Sequence, residues 1–214
     1  SDKEKAASIL WLCSQIGIEA SVCRHNKFNE LAQQDETKYL HILKKHWGQE
    51  CNFGPLKFYK NPDEGKEHIN ISKGNIISEI IDQSKRAMQK DENFSDVFIT
   101  APTGAGKSLL FQIPAIHINE VWHAITIVVT PLIALMKDQI TKLTQENGVT
   151  FATYINSEIT FDEKERRIDR IKNGEISIVY LSPELLLANA LESIIGNRII
   201  GLMVIDEAHL VTTW

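Results

Sequence analysis

The sequence predicts an α/β fold: a mostly parallel sheet covered by helices, preceded by a small, mainly helical region. Three observations carry that prediction. From about residue 95, short runs rich in β-branched residues and apolar on both faces alternate with helix-like segments. Strands without a polar face are buried on both sides, and helices between them make the sheet parallel. The boundaries carry their own chemistry: Thr160 and Glu163 fit a capping box, and Gly148, Gly174 and Gly196 stand where helices should stop.

The elements follow in order. A chain of 214 residues can bury a substantial core and allows one or two domains. The pattern changes near residue 70, which suggests an accessory region over 1–70 and a second domain over 71–214. In the first, "EKAASILWLCSQIGI" and "KFNELAQQDETKYLHILKKHW" read as helices, with Leu31, Leu40, Leu43 and Trp47 at helical spacing. The polar stretch "KNPDEGKEHIN" reads as a loop or linker. In "GNIISEIIDQSKRAM", Ile76, Ile77, Ile80 and Ile81 form one helical face. Strands are expected at "DVFIT", "AITIVVT", "TFATYI", "ISIVYLS" and "GLMVIDE". Helices are expected at "KSLLFQIPAIHIN", "LIALMKDQITKLTQEN", "FDEKERRIDRIKN" and "PELLLANALESII".

Composition excludes several classes. No apolar run approaches the roughly 20 residues of a membrane span, and the first residues are too charged for a secretory signal. Cys13, Cys23 and Cys51 lack metal-ligand spacing and read as free thiols of a reducing compartment, so an intracellular protein, cytoplasmic or nuclear, is expected. Cys23 and His25 alone do not make a zinc site. A net charge of −5 gives no footprint for duplex binding by the chain as a whole, so any nucleic-acid contact must be local. Lys44, Lys45 and His46 beside Trp47 read as a solvated helix face ahead of a DNA contact.

Two motifs carry chemistry. "APTGAGKS", Ala101–Ser108, lies between a predicted strand and a predicted helix and has the Walker A pattern. Thr103, Gly104, Ala105 and Gly106 supply a loop whose N–H groups turn toward a phosphate chain, with the helix N-terminus assisting. Lys107 supplies a point charge to the β- and γ-phosphates of ATP, and Ser108 an oxygen for Mg²⁺. "GLMVIDEAH" is an apolar strand ending in Asp206, Glu207 and His209. A strand's carboxyl end is where open α/β sheets bind ligands. Asp206 can hold Mg²⁺ through its water shell, and Glu207 can orient and deprotonate the attacking water. Either segment alone has a bland reading, as a glycine-containing turn or a solvated strand end. Together they imply a nucleoside triphosphatase.

The residues Asp-Glu-Ala-His resemble helicase superfamily two, and longer stretches resemble its RecQ family. "APTGAGKSLLFQIPA" is similar to that family's first motif, with Gln112, Pro114 and Ala115 continuing it. "VVTPLIALMKDQ" looks like motif Ia, "YINSEIT" like the Asn-Ser segment, "VYLSPELL" like the Ser/Thr-Pro-Glu motif, and "IDEAHLVTTW" like the family's extended box. The resemblance covers about 72–214. It implies the first RecA-like, ATP-binding P-loop lobe, incomplete at its C-terminal end, with ATP and Mg²⁺ as cofactors and DNA, single-stranded or partly duplex, as partner. It also implies 3′-to-5′ translocation and a second RecA-like lobe supplied by the rest of the same protein. Thr130, Lys137 and Ser182 are then expected to contact the DNA backbone, since hydroxyls and ammonium groups bind phosphate oxygens. Thr130-Pro131 is equally a strand-ending turn, and Ser182-Pro183-Glu184 an N-cap with proline at the first helical position.

The sequence departs from the family upstream of the Walker loop. The Arg-x-x-Gln element that reads adenine has Asn75 at the aligned place, whereas Gln83 has the better spacing and other neighbours. Gln83 is the residue expected to bind the base. The aromatic-rich loop stops at Trp214, and an initial Ser1 in place of Met suggests an excised piece or a trimmed tag. Residues 1–70 match nothing in the family pattern and could be an accessory domain, a protein-docking platform or a lid. Two other readings stand beside the helicase: a nucleotide-gated DNA remodelling or clamp subunit that does not unwind, and an interaction module with a dead site. Intact Lys107, Asp206 and Glu207 argue against the last.

Overall fold

A computed structural model describes residues 10, 11, 14, 31, 34–60, 66–102, 104–188 and 191–208. The chain divides into two compact units, Asn26–Trp122 and His123–Trp214 with Ser1–His25. These cuts fall elsewhere than residue 70, because the backbone passes through that point inside one continuous structure.

In the Asn26–Trp122 unit, helix α1 (Leu40–Trp47) is followed by an antiparallel hairpin of β1 (Pro55–Tyr59) and β2 (His68–Ser72), with Leu56 opposite Ile71. The stretch expected as a linker therefore ends in a strand. Its alternating apolar residues are too few to stand out beside Pro62, Asp63 and Gly65. Strand β2 runs directly into α2 (Lys73–Met88), whose N-cap Ser72 accepts the Gly74 N–H. The predicted isoleucine face is buried: Ile76, Ile77, Ile80 and Ile81 all face the interior. Helix α3 (Leu109–Trp122) completes the unit.

One prediction fails here. Residues 96–100, expected as the strand before the Walker loop, form no regular structure, and Val97 and Phe98 are 39% and 50% exposed. β-propensity expresses fit to a pleated, half-buried surface, and without a ladder it does not make a strand.

The second unit is the α/β body. Its strands are β3 (Ile125–Val129), β4 (Ala152–Ile155), β5 (Ile178–Leu181) and β6 (Ile200–Ile205), in the order β4-β5-β3-β6 and all parallel. Every residue of β3 and β5 is buried, as their unbroken apolar runs require. Between β3 and β4 lies α4 (Ile133–Thr141), which widens into a π-helical turn at Lys142–Glu146 before Gly148 reverses the chain at φ +68°. Between β4 and β5 lies α5 (Phe161–Lys172). Thr160 Oγ1 accepts the Glu163 N–H at its start, but the Glu163 carboxylate turns forward to Arg167 instead of closing the box. Two short helices, α6 (Pro183–Ala188) and α7 (Leu191–Ile195), connect β5 to β6.

The core of this unit gathers Ile127 and Val129 of β3, Val179 and Leu181 of β5, and Ile171, Leu186 and Ile194 from the helices. Arg198 fastens its amino-edge loops. The guanidinium donates to the carbonyls of Ile171 and Ile176 and to Ser177 Oγ (2.8 Å), and burial pushes its pKa down.

Candidate functional site

The Walker loop is shaped by its glycines. Gly104 and Gly106 lie at φ +81° and +74°, the left-handed region open to glycine without a Cβ penalty. The backbone then enters α3, with the Gln112 N–H reaching Ser108 O at 2.9 Å. Lys107 Nζ donates to Ala101 O at 3.2 Å, so the ammonium is held on its own loop. Ala105 lies at a bend of the loop and Ser108 in the turn that leads into α3. Thr103 lies outside the described residues.

Gln83, expected to bind the base, makes hydrogen bonds within its own unit. It is buried in α2, its Nε2 donating to Glu79 Oε1 (2.8 Å) and its Oε1 accepting the Ser95 N–H (2.7 Å). Asn75, at the aligned position, donates to Gln34 O at 2.7 Å. Both amides tie distant backbone to α2. Sequence spacing cannot show this, because the partners lie 12 and 41 residues away.

In the second unit, the ends of the parallel strands form a polar row. Thr130 follows β3, Asn156 follows β4, Ser182 follows β5 and Asp206 follows β6, at matching register. Thr130 Oγ1, Asn156 Nδ2 and Ser182 Oγ are buried without a hydrogen-bond partner among the described residues. An unmade buried bond costs about 1–3 kcal/mol, and the carboxyl ends of parallel strands are where open α/β sheets bind ligands. The hydroxyls of Thr130 and Ser182, expected at a DNA surface, are closed off from solvent because each directly follows an interior strand. Lys137, half-buried on α4, is paired with Glu158; that hydrogen bond holds its ammonium above the ordinary lysine value.

Asp206 continues the ladder, its N–H donating to Val129 O at 2.9 Å. Its Oδ1 accepts the Glu207 N–H (3.0 Å) and its Oδ2 faces Gln139 Nε2 at 3.4 Å. Glu207 sits at φ +51°, a conformation that costs a non-glycine residue about 1–3 kcal/mol and recurs at functional sites. His209 lies outside the described residues. Gln139 escaped the sequence reading: it is buried on α4, and its Oε1 accepts from Tyr180 Oη at 3.0 Å. Its place at the end of "PLIALMKDQ" was the available signal, but only the fold brings it to Asp206.

No group of three or more metal-ligating side chains occurs among the described residues. Mg²⁺ typically takes one or two carboxylates and completes its shell with water and substrate oxygens. Asp206 supplies a hard oxygen donor with one edge already oriented by an amide, so the donor chemistry fits.

Residues 80–214 match the DEAD/DEAH box helicase family. The chain belongs to that family. Within it, the chain is a RecQ-like superfamily-two motor lobe. It is 35% identical over 122 residues to the ATP-dependent DNA helicase RecQ of Haemophilus influenzae and 40% identical over 113 residues to that of Bacillus subtilis. It is 36% identical over 124 residues to the ATP-dependent helicase SGS1 of Saccharomyces cerevisiae. These matches take in 57%, 53% and 56% of this RecQ-like chain but 19%, 18% and 8% of the relatives, so it spans less than a fifth of their length.

Proposed function

We propose that this RecQ-like lobe is the ATP-binding half of a DNA helicase or translocase that couples Mg-ATP hydrolysis to 3′-to-5′ movement on DNA. The observation that carries the reading is the Walker loop itself, with two left-handed glycines and a lysine ammonium held at the loop by the Ala101 carbonyl. A phosphate chain offers that ammonium a far stronger, charge-assisted partner. Thr103, Gly104, Ala105 and Gly106 wrap the phosphates, and Ser108 and Asp206 supply oxygens to Mg²⁺, which neutralises charge on the triphosphate when bound. Glu207 orients and deprotonates the attacking water, with His209 beside it in sequence.

The carboxyl-edge row beside Asp206 supports a DNA-sensitive surface: Lys137 binds a backbone phosphate, and Thr130 and Ser182 shape the strand ends behind it. A second RecA-like lobe of the same protein supplies arginine fingers. Without one, hydrolysis typically slows by ~10³–10⁵. Residues 1–70 serve as an accessory region and offer a surface for a protein partner. The protein works where DNA is, in the cytoplasm or nucleus. No helix among the described residues is long and apolar enough to cross a membrane.

Lys107→Ala and Glu207→Gln in the full-length protein are expected to abolish DNA-stimulated ATP hydrolysis, measured by phosphate release with and without single-stranded DNA. Wild-type turnover in either variant refutes the assigned roles.

A further inference from the structure

We propose that Lys73, at the start of α2, is a second phosphate-binding cation of the Walker loop. The inference rests on the nucleotide reading above and adds a residue that neither motif contains. The backbone delivers this side chain deliberately. Lys73 N–H donates to Gly54 O at 3.1 Å, Ser72 caps the helix immediately before it, and Gly74 packs against the Glu36 backbone immediately after it. From that anchored position the stem passes Gly54 and reaches the loop. A Cβ built on Gly54 would stand 3.9 Å from Lys73 Nζ, and one built on Gly106 would stand 3.2 Å from Nζ and 3.5 Å from Cε.

The ammonium thus lies against the backbone of Gly106, and no carboxylate among the described residues pairs with it. Lysines with a nearby acid take it elsewhere in this unit, as Lys45 does with Glu120 and Lys60 with Glu67. Lys107 brings a second ammonium to the same loop, where it donates to Ala101 O. Two cations thus reach one turn rich in N–H donors, and no salt bridge to either occurs among the described residues. The missing partner is a polyanion, and a triphosphate chain has the charge density for it. Gly106 is then required twice over, for its left-handed φ and because any side chain would crowd the Lys73 ammonium.

The test compares wild type, Lys73→Met, Lys73→Arg and Lys107→Ala in the full chain. Equilibrium binding of Mg-ATP and of inorganic tripolyphosphate is measured at several salt concentrations, alongside the ligand-free unfolding midpoint. Methionine keeps an apolar stem and removes the charge. Lys73→Met is expected to weaken both ligands by about 10- to 100-fold, the worth of a charge-assisted hydrogen bond. It should also flatten their salt dependence and leave the midpoint in place, while Lys73→Arg retains most of the affinity. Wild-type binding by Lys73→Met beside lost binding in Lys107→Ala overturns the role of Lys73 and leaves the nucleotide site standing. A loss matched by a lowered midpoint and not rescued by arginine overturns it as well, by making Lys73 structural. Tripolyphosphate binding that depends on both lysines, with no preference for ATP, supports the second cation while refuting the nucleotide reading. No binding of either ligand to wild type refutes both.

Discussion

Gly74→Ala sets two physical effects against each other. Gly74 lies in the first turn of α2, and its φ is outside the left-handed region, so helix propensity alone favours alanine by up to about 1 kcal/mol. The space does not allow it. An alanine Cβ would lie 1.9 Å from Glu36 O, 2.8 Å from Glu36 C and 2.8 Å from Phe53 Cδ2. The Phe53 ring can swing, but the Glu36 carbonyl is backbone and is tied on both sides. Asp35 accepts from Thr37 N–H and Oγ1, and Gln34 O accepts from Asn75 Nδ2 at 2.7 Å. Relieving the contact moves that segment by more than an ångström. Overpacking of this kind costs about 1–3 kcal/mol, and losing the Asn75 bond adds about 1 kcal/mol. The clash therefore wins, and a net destabilisation of about 1–3 kcal/mol is expected from urea unfolding of the full chain. Because Lys73 is the adjacent residue, tripolyphosphate affinity should fall with it. A Gly74→Ala protein as stable as wild type or more so would show that the segment before α1 yields freely, and the reasoning would fail.

Gln139→Leu removes the amide between Tyr180 and Asp206 at nearly constant volume. It is expected to raise the Mg²⁺ concentration needed for half-maximal ATP hydrolysis by about tenfold, a usual effect of losing an orienting partner; an unchanged magnesium titration would separate Gln139 from the metal. Glu158→Gln frees Lys137 from its carboxylate and should tighten single-stranded DNA binding by about two- to fivefold at low salt, read by fluorescence anisotropy. Weaker or equal binding would place the DNA elsewhere. His117 lies edge-on to Tyr39 (4.8 Å) and Trp122 (5.3 Å). Burial first, then the charge of His41, lowers its pKa, with Glu120 opposing. The unfolded chain therefore takes up the proton more readily. Stability is full above the ordinary histidine value of about 6.5 and falls as pH drops through the lowered folded value. His117→Phe should flatten that fall in pH-dependent thermal unfolding, and an identical pH profile would count against it.

Local chemistry made much of the molecule legible in advance. Unbroken runs such as "ITIVV" and "IVYL" must be buried on both faces, and they are the central strands. Thr160 caps α5, and Gly174 closes it at φ +84°, because caps and left-handed turns involve neighbours in the chain. The Walker loop was readable for the same reason. Less legible was everything that needs a partner far away. Residues 96–100 have strand composition but no ladder. Gln83 has adenine-reading spacing, and its bonds to Ser95 and Glu79 could not be read from that spacing. The β1–β2 hairpin depends on pairing across a polar stretch that reads as a linker.

The alternation of strands and helices from β3 to β6, the phosphate loop and the acidic strand end were determined by the sequence alone, since each follows from the spacing of a few adjacent residues. Tertiary structure alone decided that Lys73 reaches Gly106, that Gln139 stands against Asp206, and that Glu158 holds Lys137. The last two of these contacts join residues 67 and 21 positions apart. The physical reason is that a side chain's occupation is set by what folding brings within about 3 Å of it, and no local pattern records that distance.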